Sequence, residues 1–116
     1  MAQKYIVGDI VMYKKRIHTI INIIYTNGYE LSYGRHTVGL AVLSGVPLTP
    51  KILAKNGWKL DNATWIYKKG YIRVFRLLDD KTYAAYIQGV RVFEFNFIHE
   101  LQHFLFGLGL NSEMEV

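Results

Sequence analysis

The stretch Thr64-Trp65-Ile66-Tyr67, Lys68-Lys69-Gly70, Tyr71-Ile72-Arg73-Val74-Phe75-Arg76-Leu77 decides the fold class, because two β-prone runs are separated by a turn too short for a helix. Asp79-Asp80 and Gln88-Gly89 then punctuate two further runs, Thr82 to Ile87 and Val90 to Phe95. Four strands joined by such turns predict an antiparallel meander. Alternation along it sends Arg73 and Arg76 to opposite faces.

A second meander is predicted upstream. Ile6 to Tyr13 and Ile17 to Tyr25 are apolar and β-branched around a Lys14-Lys15 turn. Asn27-Gly28 then supplies a tight-turn dipeptide before Tyr29 to Tyr33. Short strands and turns of this kind match the start of an SH3-like barrel as well as a plain antiparallel sheet. Gly34 to Gly39 reads as a loop leading into the apolar run Leu40-Ala41-Val42-Leu43.

Two helices complete the pattern. Thr49 is placed to cap a short helix over residues 50–56, with Pro50 at its first position and Gly57 as terminator. Its Ile52 and Leu53 are expected to face a sheet, with Trp58 packing just beyond. From Phe97 to Leu108, apolar residues at helical spacing centre on Leu101, which predicts an amphipathic helix capped by Asn96 and ended by Gly107 and Gly109. The expected class is α+β, in one domain spanning residues 1–116.

Composition narrows the chemistry. The chain has 116 residues, 51% of them hydrophobic and 20% charged, which is globular usage rather than the profile of a disordered chain. No cysteine is present, so disulfides, thiol catalysis and thiolate metal sites are excluded. The N-terminus lacks a long apolar run and no other run reaches bilayer length, so a cytoplasmic protein without a membrane partner is expected. All 14 Lys and Arg lie within residues 1–92. That body carries a net charge of about +9 and the remaining tail about −4. A basic body steers anions toward itself.

Three constellations could carry function. His99-Glu100-Leu101-Gln102-His103 is a His-Glu-x-x-His pattern, in which histidines one turn apart ligate zinc and the glutamate activates water. On a helix whose apolar stripe centres on Leu101, His99 and His103 are expected to point away from the core. The longer metzincin spacing is missing, and only Glu113, Glu115, His18 or His36 could supply a third ligand. These counts weigh against zinc chemistry, and no cofactor is expected. Arg35 and His36 sit between Gly34 and Gly39 in a loop able to meet an anion. The hairpin with Tyr67, Lys68, Lys69, Tyr71, Arg73 and Arg76 interleaves cations with flat rings, a mixture that holds phosphates while stacking bases. Sequence-specific DNA reading is disfavoured, because the C-terminal helix has no Lys or Arg to meet phosphates.

Val46-Pro47-Leu48-Thr49-Pro50 through Asn56-Gly57-Trp58, with Ile98-His99-Glu100-Leu101-Gln102-His103-Phe104-Leu105-Phe106-Gly107-Leu108, resembles small uncharacterised proteins encoded by phages and prophages of gut anaerobes. The match covers a Pro-Leu-Thr helix start ending in Asn-Gly-aromatic, and a closing His-Glu-Leu-Gln helix. The chain departs from that pattern at His103, where the family carries Asn, a residue that could not complete a zinc pair. The resemblance implies a phage setting and no chemistry. The expectation is a non-catalytic phage-type binding protein, a counter-defence protein that sequesters an anionic nucleotide-like small molecule, and a homo-oligomer. The alternatives are a module that inhibits a host protein and a zinc metallohydrolase using residues 99–103.

Overall fold

The computed structural model describes residues 5–24, 28–32, 37–39 and 43–116. Its elements are β1 Ile10–Tyr13, β2 Arg16–Ile24, β3 Gly28–Leu31, β4 Thr37–Gly39, β5 Ser44–Gly45, α1 Pro50–Lys55, β6 Lys59–Asp61, β7 Ile66–Lys69, β8 Ile72–Arg76, β9 Tyr83–Ile87, β10 Val90–Phe95 and α2 Ile98–Gly107. This is an α+β fold with two antiparallel sheets, in the orders β4-β3-β2-β1-β5 and β10-β9-β8-β7-β6. The first sheet is open and does not close into an SH3-like barrel. Its last strand, β5, pairs only Gly45 and Ser44 with Val11 and Met12, too little strand to carry a sheet round into a barrel.

Turn chemistry sets the hairpins. Lys14 and Lys15 both adopt left-handed backbone, with φ of 47° and 63°, and join β1 to β2. Gln88 and Gly89 do the same between β9 and β10, with φ of 52° and 79°. Positive φ at both central residues matches the twist of paired strands. Residues 6–9 do not extend β1 as expected. They fold into a turn in which the Asp9 amide donates to the Ile6 carbonyl and the Ile6 amide to Asp9 Oδ2. The predicted strand over Thr64 to Tyr67 begins instead at Ile66, because the Thr64 and Trp65 amides close a turn on the Asp61 carbonyl. Residues 40–42 and Tyr33 lie outside the described residues.

Helix α1 forms where its local signals place it. Thr49 Oγ1 accepts from the Ile52 amide at 3.2 Å, Leu53 is fully buried, and Gly57 takes a φ of 86° past the end. Helix α2 is bonded differently from expectation at its start. Its N-cap is Phe97, while the Asn96 side chain donates to Thr82 Oγ1 and the Lys81 carbonyl. Glu100 Oε1 satisfies the exposed amides of Asn96 and Phe97 from inside the first turn.

The main core gathers Leu101 and Leu105 of α2, Leu53 of α1, Trp58, Ile10 of β1 and the inner face of the second sheet, including Val74, Tyr83 and Phe95. Burying each such side chain contributes about 1.5–3 kcal/mol. A smaller cluster around Tyr5, Val11, Ile20 and Leu31 belongs to the first sheet. Helix α2 therefore contacts both sheets, through β1 and β10. No described helix is long and apolar enough to cross a membrane.

Candidate anion-binding face

Strand alternation divides the second sheet into an inner face under the helices and an outer face. Register places Lys59 opposite Lys68, Lys68 opposite Arg73, Arg73 opposite Tyr86, and Tyr86 opposite Arg91. Directly paired residues share a face, so these five form one row across all five strands. The next row on that face is Asp61, Ile66, Phe75, Ala84 and Glu94. Ile66 and Phe75 belong to neither core cluster and are only partly buried, although Ala84 beside them is fully buried.

The charges on it are unevenly neutralised. Lys68 Nζ lies 3.2 Å from Asp61 Oδ2, and Arg91 NH1 lies 2.9 Å from Glu94 Oε1. Among the described residues, Lys59 and Arg73 have no carboxylate partner. Arg73 donates instead to the carbonyls of Gly70 and Ile72. Three cations thus stand directly opposite one another on adjacent strands, and Asp61 meets only the middle one, Lys68, which leaves the outer two as like charges without a carboxylate. A hydrogen bond from the Ala63 amide, then one from Lys68, holds the Asp61 carboxyl below its ordinary range.

Aromatic surface adjoins the cations. Phase is set by Tyr86, whose ring meets Phe75 edge-on at 4.9 Å between centroids. The Arg91 guanidinium stands 5.6 Å from the Tyr86 ring centre and donates Nε to the Tyr86 hydroxyl at 3.1 Å. That hydrogen bond is the main cause of an Arg91 pKa above its ordinary value.

The residues singled out in the sequence do not all converge here. Lys68 and Arg73 lie on the outer face. Tyr67 is buried in the core on the inner face. Lys69 also projects inward, donating to the Asn56 carbonyl at 2.8 Å with its ammonium 5.9 Å from the Trp58 ring centre. Tyr71 is half-exposed beside it, and the two help line a separate cavity of about 340 Å³ with Trp58, Ile72 and Leu105. Arg76 bonds the Asp80 carbonyl at the sheet end. Arg35 and His36 lie outside the described residues. Lys59, Phe75, Tyr86 and Arg91 were not anticipated from the sequence. A signal for Arg91 was present, because the two-residue turn Gln88-Gly89 makes Ile87 face Val90 and hence Tyr86 face Arg91.

The His-Glu-x-x-His segment takes another arrangement from the expected solvent-facing one. His99 is only 5% exposed and packs edge-on against Tyr5 at 4.9 Å. His103 Nε2 sits 2.6 Å from Oδ2 of the buried Asp9. The pair faces the first sheet because α2 is covered on two sides. Glu100 is committed to backbone amides at the helix start, and the described residues hold no group of three potential metal ligands. No protein-family model matches the chain, and no curated protein or solved structure matches it significantly.

Proposed function

We propose that the protein is a non-catalytic binding protein whose outer sheet face holds a nucleotide-bearing anion. The observation that carries this reading is the row Lys59, Lys68 and Arg73, three like charges placed opposite one another and followed by Tyr86. Phosphates would relieve the repulsion, and bases would stack on Tyr86 and Phe75. An open sheet face is a twisted platform, whereas mononucleotide sites are concave. Its five strands span roughly 19 Å at ordinary strand spacing, which suits a short single strand better than one nucleotide. In the phage setting that the resemblance implies, such a protein would act by sequestering its ligand.

The test is fluorescence anisotropy with a labelled short oligo(dT), alongside a thermal-shift panel of linear and cyclic nucleotides. Saturable oligonucleotide binding that weakens with salt, and disappears in the Lys68→Glu/Arg73→Glu double variant, supports the reading. Stabilisation by a mononucleotide alone would replace the strand with a small ligand. Indifference to both classes would end the proposal.

A further inference from the structure

Among the described residues the second sheet ends at β10, which pairs with β9, while Asn96 to Ile98 just beyond it pair with residues 46–48 and leave the edge open only as far as Phe95. Val90, Val92 and Phe93 on this strand are 62%, 46% and 36% exposed. An open apolar edge presents unpaired backbone groups to any strand able to match it. What matches this edge is set by its register. Arg91 faces Tyr86, Phe93 faces Ala85 and Glu94 faces Ala84, with an irregularity between Arg91 and Phe93. Val92 is thereby the extra residue of a bulge, which leaves Arg91 and Glu94 on the same outer face and Phe93 on the inner one.

That spacing is complementary to itself. Two antiparallel copies of β10 related by a two-fold axis through Phe93 would set Phe93 against its own copy. With Val92 bulged out of register on both copies, as it is against β9, the same operation puts each Arg91 opposite the partner's Glu94, and each Val90 opposite the partner's Phe95. An isologous contact demands this kind of self-match, and here it holds on both faces. Phe93 is already fixed between Phe95 at 5.8 Å and Phe104 at 5.5 Å, so little side-chain freedom remains to be lost on association. We propose that β10 is the interface with a second copy of this chain, joining two sheets into one continuous ten-stranded platform. This interface stands whether or not the outer face binds nucleotides.

The test is sedimentation velocity on the full chain at micromolar concentrations, with circular dichroism as the folding control. Wild type is expected as a dimer, while Arg91→Glu and Glu94→Arg each weaken dimerisation by ~10-fold or more through like charges across the axis. Mixing the two variants should then restore a heterodimer. In the mixture every cross-axis pair is opposite in charge, whereas the pair within each chain stays alike. Should a charge reversal unfold the chain, Phe93→Lys takes its place, with loss of the dimer as the supporting result. A monomeric wild type, a mixture that stays monomeric, or a dimer indifferent to Phe93→Lys would overturn the proposal.

Discussion

Gln102 Oε1 accepts the amide of Ile10 at 2.9 Å, although the two residues are 92 positions apart. The same side chain donates Nε2 to the Gly8 carbonyl at 2.8 Å and to the Ser112 carbonyl at 3.1 Å. One buried amide therefore pins the entry to β1 and the chain after α2 against the middle of the helix. Replacing Gln102 by Leu keeps the bulk and strands three backbone groups, each costing about 1–3 kcal/mol if unsatisfied. Gln102→Leu is expected to lose about 3 kcal/mol or more in urea unfolding. A loss below about 0.5 kcal/mol would mean that water takes over those bonds.

Asp9 supplies a pH test of the same seam. Burial is the main influence on its carboxyl and raises its pKa, against the lowering effects of the Ile6 amide and His103. A folded-state pKa above the unfolded one means that Asp9 favours folding most at low pH, and that this contribution fades as pH rises through the folded value. Asp9→Asn removes the titration while keeping an acceptor for the Ile6 amide. Wild type should therefore lose stability relative to Asp9→Asn as pH rises from the acid end, levelling off above the folded pKa. Urea unfolding of both proteins from acid to neutral pH measures the difference. A gap running the other way would show that the His103 contact outweighs burial.

Legibility from sequence followed the range of the determining contacts. Helix α1 was readable because Thr49, Pro50 and Gly57 act within a few residues of one another. The second meander was readable because its turns are local, although Lys59–Asp61 was too short and polar to announce β6. The orientation of His99 and His103 was not readable, since Tyr5 and Asp9 cover that face from the opposite end of the chain. The candidate site sits between these cases. Its residue types were visible, while its row depends on the register of five strands.

Gly45 tests the joint between the sheets. A Cβ built there would lie 2.6 Å from Phe97 Cγ and 3.0 Å from His99 Cε1. The Phe97 ring stacks on His99 at 5.8 Å, so swinging it away to make room would give up that contact. Gly45→Ala is expected to cost about 1–3 kcal/mol through overpacking. Gly70→Ala would meet no atom within 4 Å, yet it carries a φ of 59°, so its smaller cost would be backbone strain alone. Equal losses in the two variants would show that the Phe97 contact yields easily.

The two faces of one hairpin give the sharpest test of the binding face. Lys68 and Lys69 are adjacent in sequence, yet Lys68 belongs to the outer row and Lys69 reaches inward over Trp58. If phosphates sit on Lys59, Lys68 and Arg73, oligo(dT) affinity should fall with salt at a log–log slope of about −2, from roughly −0.7 per phosphate met. Lys68→Ala or Arg73→Ala should make that slope shallower by about 0.7. Lys69→Ala should leave it unchanged. Tyr86→Phe keeps the ring but removes the hydroxyl that holds Arg91, so it should preserve most affinity, whereas Tyr86→Ala should cost about 1–3 kcal/mol of stacking. Equal slope changes for Lys68→Ala and Lys69→Ala would mean that the strand is held by overall charge rather than by this face.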